Sequence, residues 1–447
     1  MPDERRADHL FLLTGGNPLP NAVAGLTLVE PSGQITLVHT DETQSTKDRL
    51  VNWLRREYED RGGIDLTPLK VDSSDAHDIY TKVCDQIKQH REVLKRVGLN
   101  YTGGTKAMAV HAYRAVREES AGDPVFSYLD ARTLRMLFDP SDAAHPGGRG
   151  YEYLGREPKL KLEHLVNLHD WRLRENEEPA EEPLMLNTAD ALLEMNTIRR
   201  QDERKAAIDK WCKWKYENWR GIWDDHQLTP WDRDAGKAES SKLLRHEVPL
   251  PSGNEHLDRI AEALRADLGD AAQGGSFTIS EAAKSAGFYW TRAEEEVAAT
   301  DFCRWLDGSW LESKVLKALK DLKDDHDLHR PCMGFCLEER GEGSGRTFFE
   351  FDVAALRGHQ LYGFSCSSST DKGELKRKLF ELSTRTRQFG GDEACAALVA
   401  PYHNPEGLQR EMRRDLGSER IRVFGRESLK NLSKSISNWI DTQTGRP

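Results

Sequence analysis

Val97-Gly98-Leu99-Asn100-Tyr101-Thr102-Gly103-Gly104-Thr105-Lys106-Ala107-Met108 runs from an apolar strand through a Gly-Gly turn into a helix that extends from Ala107 to Val116. Two glycines let the backbone approach a bound group closely, Thr102 and Thr105 add hydroxyl donors, and the helix aims its first N–H groups and its dipole at an anion. Lys106 supplies a countercharge. The spacing is neither that of a Walker P-loop nor the dinucleotide G-x-G-x-x-G pattern, which sets aside ATP hydrolysis and NAD chemistry. On the glycines alone, a tight strand-to-helix turn without a ligand is an equally good reading.

A second loop tips the balance toward a phosphate or nucleotide seat. His9 to Leu13 reads as a buried strand, followed by Thr14-Gly15-Gly16-Asn17-Pro18-Leu19-Pro20-Asn21 and an apolar helix from Ala22 to Leu28. A third loop, Thr40 to Thr46, follows the strand Gln34 to His39 and opens a helix at about Lys47. In open parallel sheets ligands bind beyond the carboxyl ends of the strands, so these loops are expected to converge on one crevice.

The 447 residues suffice for two or three domains. With 37% hydrophobic and 31% charged residues and no long apolar run, the sequence predicts a soluble, cytoplasmic protein without a membrane span or secretory signal. Seven scattered cysteines argue for reduced thiols. Cys332 and Cys336 stand near His326 and His329, but no second pair has zinc-site spacing. The net charge of −11 speaks against indiscriminate nucleic-acid binding, yet from Lys372 to Lys434 there are 14 Lys/Arg against 9 Asp/Glu, a locally basic C-terminal part.

Strand candidates His9–Leu13, Gln34–His39, Val93–Tyr101, Pro124–Leu129 and Thr133–Phe138 alternate with helices over residues 1–150, the pattern of a doubly wound α/β domain ending in a turn-rich segment. Residues 151–275 form a charged, mainly helical connecting region, with Glu175 to Pro183 read as an exposed linker. Trp211, Trp214, Trp219 and Trp223 recur there near helical spacing; such a stripe suits base stacking but is more often a core or dimer face. Residues 276–300 read as a small helical connector, and 301–447 as the last domain.

In that domain Glu312 lies in a helix whose apolar face is Leu311, Val315, Leu316 and Leu319. Thr347 to Leu356 reads as a strand that places Glu350 and Asp352 on one face. A turn leads into a second strand, Leu361 to Ser367, and a lysine-rich helix from Asp371 carries Lys372, Lys376 and Lys378. Hard carboxylate oxygens suit Mg²⁺ or Mn²⁺, which activate water against a phosphodiester while a nearby lysine offsets developing charge.

Helix, acidic strand, hairpin partner and basic helix resemble the αβββαβ order of the PD-(D/E)xK nucleases. Together with Asn100 to Lys106 at one end, and Glu350-Phe351-Asp352-Val353 and Gly390-Gly391-Asp392 at the other, the chain resembles the CRISPR ancillary nucleases that join a CARF sensor to a PD-(D/E)xK nuclease. The resemblance covers both terminal domains and is weak in the middle. It implies a Rossmann-like CARF domain, a C-terminal restriction-endonuclease-like α/β domain, and a homodimer binding a cyclic oligoadenylate, most often cyclic tetra-adenylate, as allosteric activator. By motif, Thr14, Gly15, Gly16, Asn17, Ser45, Thr46, Asn100, Tyr101, Thr102, Gly103, Gly104, Thr105 and Lys106 would line the cleft. Glu312 and Asp352 would hold Mn²⁺ or Mg²⁺, with Glu350 and a lysine completing the catalytic set for cutting RNA or DNA.

One departure stands out: the acid-x-Lys strand of that superfamily appears here as Ser365-Cys366-Ser367. The lysine has migrated to Lys372, Lys376 or Lys378, or the nuclease is inactive, or the chain is an engineered form; migration is favoured because the acids remain. The alternative function is a non-catalytic sensor or nucleic-acid-binding regulator. A ring nuclease using Thr105 or Lys106 is compatible with either.

Overall fold

Apolar residues on both faces of one strand fix the architecture of the N-terminal unit. In β1 (Ala7–Leu13), Leu10 and Leu12 enter one core while Phe11 and Leu13 enter another, as a central parallel strand covered on both sides requires. The computed structural model describes residues 1–90, 96–139, 150–174, 179–220, 244–288, 295–340 and 348–443. Here β1 lies between β2 (Val29–His39) and β4 (Val97–Asn100) in a sheet of order β3-β2-β1-β4-β5-β6-β7. The strands from β3 (Asp65–Lys70) through β5 (Val125–Asp130) are parallel; β6 (Arg135–Phe138) and β7 (Tyr151–Tyr153) add antiparallel. Helices α1 (Leu19–Leu28) and α2 (Gln44–Glu59) cover the Leu10/Leu12 face, and α3 (Ala76–His90) and α4 (Lys106–Glu119) the other.

Strand β3 escapes the periodicity reading because Pro68 interrupts its pattern. Proline is tolerated there because β3 is an edge strand. Strand β4 begins at Val97; the earlier part of the stretch read as strand from Val93 and the turn-rich residues 140–149 lie outside the described residues.

α5 (Leu162–Leu168) and β8 (Trp171–Leu173) lead out of this unit, and β8 pairs antiparallel with β11 (Leu328–Glu339) at the edge of a second sheet. Its order is β15-β14-β13-β12-β11-β8. Residues 175–178 of the segment read as a linker lie outside the described residues. Beyond them the chain is strapped down: Ala180 exchanges two backbone hydrogen bonds with Met333, at 3.0 and 2.9 Å, and Glu181 and Glu182 pair with Arg330 and Lys320.

The middle region builds a core, not a stacking platform. α6 (Leu186–Asn196), α7 (Gln201–Lys215), the ladder of β9 (Glu247–Pro249) with β10 (Ser276–Thr278), α8 (Glu255–Leu268), α9 (Ile279–Ser285) and α10 (Glu295–Arg304) share one apolar cluster with a face of the second sheet. Trp211 and Trp214 stack at 4.8 Å and are buried there with Trp219, whereas Trp223 lies outside the described residues.

α11 (Trp310–Asp321) leads into β11, β12 (Phe348–Arg357) and β13 (Gln360–Cys366), an antiparallel run. α12 (Lys372–Gly390) then crosses to β14 (Cys395–Val399), and α13 (Pro405–Leu416) to β15 (Ile421–Phe424), both parallel additions. α14 (Arg426–Leu429) and α15 (Leu432–Gln443) close the described chain. No helix among the described residues is long and apolar enough to cross a membrane.

The two units meet through α5, which packs on both α2 and α12, and through Arg420, which donates to the carbonyls of Ala131 and Arg132 at 2.8 Å. Near this junction Glu393 is buried, and burial pushes its carboxyl up to about 7, with Arg420 pulling the other way. A carboxyl raised in the native state holds its proton more tightly there than in the unfolded chain. Stability is therefore full below about 4.5, the ordinary value, and is lost as pH rises through about 7. The span corresponds to about 3 kcal/mol. Glu393→Gln is expected to flatten that limb, and urea melts of both proteins at about pH 5 and about pH 8 measure it.

Candidate functional site

The two glycine loops touch. A Cβ at Gly103 would stand 2.2 Å from the carbonyl oxygen of Leu13, and one at Gly15 would stand 3.2 Å from the amide nitrogen of Gly104, so only glycine lets the ends of β1 and β4 approach this closely. Gly104 adopts φ +74, a conformation that disfavours side chains. Thr105 then caps α4, its hydroxyl accepting from the Met108 amide at 3.2 Å.

Several residues expected at the cleft turn their polar groups into the protein. Asn100 is buried, donating to the Ser127 hydroxyl at 3.1 Å and accepting from the Thr102 amide at 3.3 Å. The Thr102 hydroxyl accepts from the Leu129 amide at 2.7 Å, and the Tyr101 hydroxyl donates to Asp139 at 2.8 Å. Thr46 is buried and accepts from Arg49 at 3.1 Å; Thr14 is buried with its hydroxyl unpartnered among the described residues. Gly16, Ser45, Gly104, Thr105 and Lys106 are exposed at the loop ends, so a ligand there meets glycine backbone, two hydroxyls and one ammonium. Val110, one turn beyond Lys106, is 62% exposed.

Asn17 links the units. Its Oδ1 accepts from the Leu19 amide at 3.0 Å, while its Nδ2 lies against Gly391, where a Cβ would come within 2.6 Å of it. Gly391 ends α12, the lysine-rich helix.

At the second sheet the structure draws Glu312, Asp352 and Lys378 together. Glu312 lies in the first turn of α11, where its carboxylate accepts from Ser309. Burial and the facing carboxylates of Asp352 and Glu350 push it well above the ordinary carboxylate range. Asp352 sits within β12 and accepts from the Cys366 amide at 2.6 Å and the Ser365 hydroxyl at 3.0 Å. Burial pushes Asp352 up despite these bonds and the Lys378 charge, and Glu381 adds repulsion. Glu350 is exposed at the margin.

Helical geometry separates the three candidate lysines. Lys372 and Lys376, four residues apart on one face of α12, both pair with Glu411 of α13 at 2.8 Å, and together they hold its carboxyl down at about 2. Lys378 projects from another face; its Nζ donates to the Cys366 carbonyl at 3.3 Å, and its charge acts on Glu312 and Asp352. Ser365 thus orients Asp352, and of the three lysines Lys378 is the one whose Nζ reaches the end of the strand that carries Ser365 and Cys366.

Among the described residues no group of three or more His, Cys, Asp or Glu is placed to hold a metal ion. The cysteine pair of β11 gathers no histidines: His326 bonds Ser437 at 2.8 Å, and His329 donates to the Leu160 carbonyl at 2.7 Å. Two hard carboxylates raised chiefly by burial do fit Mg²⁺ or Mn²⁺, since such ions are commonly bound by one or two carboxylates and complete their shell with water and substrate phosphate.

No protein-family model and no curated protein matches the chain. Solved structures do. Protein VC1899 from Vibrio cholerae aligns with a TM-score of 0.65 at 16% identity, covering 98% of this chain and 100% of that one. Can2 from Sulfobacillus thermosulfidooxidans, solved in complex with cyclic tetra-adenylate, aligns with a TM-score of 0.63 at 14% identity, covering 97% and 99%. At these identities the likeness is one of fold, and it extends through the middle region that the motifs leave unassigned.

Proposed function

We propose that the chain is a sensor-nuclease of type III CRISPR antiviral defence: a CARF domain (residues 1–150) that binds cyclic tetra-adenylate, and a PD-(D/E)xK-type domain (residues 301–447) that cuts nucleic acid with Mn²⁺ or Mg²⁺ when the activator is bound. The observation that carries this reading is the meeting of Glu312, Asp352 and Lys378 on a sheet whose own strand lacks the expected lysine. The touching glycine loops and the full-length fold likeness to Can2, a structure containing cyclic tetra-adenylate, support the sensor half. Exposed Val110 beside Lys106 supports the pairing of two copies across the cleft.

In this reading Ser365 and the Cys366 amide fix the Asp352 carboxylate and Ser309 fixes Glu312, on which the Asp352 charge acts. Lys378 stands where negative charge develops on the phosphodiester and offsets it. Glu312 and Asp352 would hold a divalent cation, which would supply further charge neutralisation and lower the pKa of the attacking water. Asn17 against Gly391 gives the ligand loop a direct contact with the end of the helix that carries Lys378.

Cleavage of labelled single-stranded RNA, single-stranded DNA and supercoiled plasmid in Mn²⁺, with and without cyclic tetra-adenylate, tests the proposal. Activator-dependent cutting is expected. Binding of the activator without cutting of any substrate would instead establish a sensor with a silent nuclease domain.

A further inference from the structure

A separate cavity of about 170 Å³ lies between α6, α7, the π-helical turn Trp305–Ser309 and the loops after β13 and β14. Arg204, Lys215 and Arg426 give it charge, and Trp211 and Trp310 give it apolar walls. Lys215 is neutralised by Asp307 at 2.8 Å, whereas among the described residues neither guanidinium has an ion-pair partner. Arg204 donates to the Ile198 carbonyl at 2.7 Å and Arg426 to the Pro401 carbonyl at 3.1 Å, both uncharged acceptors. The Arg426 Nε is buried with no partner among the described residues. The neighbouring acid, Glu427, bonds Lys430. Burial and the Arg204 charge pull Arg426 below the usual guanidinium value, with the Glu427 charge acting the other way.

Size and connection identify what would relieve that repulsion. The volume is below the roughly 300 Å³ from which whole small-molecule ligands are usually taken, so the cavity suits a single group on a chain that continues outside. Guanidinium forks match phosphate oxygens in pairs. The walls are continuous with the acidic site: Trp310 precedes Glu312 by two residues on α11, and Ser368, on the rim, follows by two residues the Cys366 amide that holds Asp352. A strand lying across Glu312 and Asp352 therefore brings a neighbouring phosphate to this cavity.

Resting on the nuclease reading above, we propose that Arg204 and Arg426 seat an internal, non-scissile phosphate of the nucleic-acid substrate. The test is fluorescence-anisotropy binding of a labelled single-stranded oligonucleotide to the full chain in EDTA, over a range of salt, for the wild type and for Arg204→Gln/Arg426→Gln. The double variant is expected to bind at least tenfold more weakly, with a log K against log salt slope shallower by about 0.7, the loss of one phosphate contact on a single strand. Cyclic tetra-adenylate affinity serves as the folding control and is expected to be unchanged. Should the double variant not fold, Cys212→Glu, an exposed residue of the cavity lining, puts a negative charge at the entrance without touching either arginine, and weaker binding is expected there too. Unchanged affinity and slope in the variants overturn the seat; so does an effect confined to 5′-phosphorylated oligonucleotides, which would assign the arginines to a strand end. A wild type that binds no oligonucleotide fails the nuclease reading itself, before any variant is compared.

Discussion

Lys378→Ala is expected to lower activator-dependent cleavage by about 100-fold or more, while Lys372→Ala and Lys376→Ala remain within about twofold of the wild type. Removing one preorganised group that faces developing charge typically costs about 10²–10³ in rate, equivalent to about 3–4 kcal/mol of transition-state stabilisation. Lys378 is the lysine of α12 that reaches β13, donating to the Cys366 carbonyl beside the amide that holds Asp352. Lys372 and Lys376 direct their charge at Glu411, an exposed pairing of the kind that adds little to stability. Asp352→Asn is expected to be as damaging as Lys378→Ala, because the amide keeps the size of the carboxylate but not its charge. Single-turnover cleavage of one oligonucleotide by the four variants checks the ranking. Equal losses from all three lysine variants would mean that α12 contributes only a general positive field, and no loss from Lys378→Ala would remove it from the site.

The division between what the sequence discloses and what it withholds follows sequence distance. Strands with unbroken apolar runs, such as Leu10 to Leu13 and Leu361 to Phe364, are legible because each is covered on both faces, and the Gly-Gly turns are legible because a close approach tolerates no other residue. Glu312 and Asp352 are legible from strand and helix periodicity. The choice among the three lysines is not, because it depends on Glu411, a residue on the next helix whose position no local pattern reveals. Asn100 and Thr102 show the same limit from the other side: residue types suited to a ligand bond Ser127 and Leu129, partners supplied by the fold. Three-residue β8 is too short to show a period, and the Arg204–Arg426 cavity joins helices far apart in the chain.

Gly103→Ala is expected to weaken cyclic tetra-adenylate binding by tenfold or more and to lower stability by about 3 kcal/mol. The added methyl would stand 2.2 Å from the Leu13 carbonyl oxygen and 3.0 Å from the Gly15 amide nitrogen, both backbone atoms at the end of the central strand. Neither can yield by changing a rotamer, so the β4 loop must lift from the β1 loop, at a cost at the upper end of what overpacking a well-packed interior exacts. Lifting separates the two loops that form the proposed cleft, and it pulls on Asn17, whose amide rests on Gly391 at the end of α12. Gly274→Ala, outside both loops, is the matched control, since a Cβ there meets nothing within 4 Å. Thermal melting and calorimetric titration with cyclic tetra-adenylate of the wild type and the two variants make the comparison. If Gly103→Ala melts early but binds normally, the close approach serves the fold alone; if it loses binding while Gly274→Ala does not, the contact between the loops sets the shape that the ligand needs.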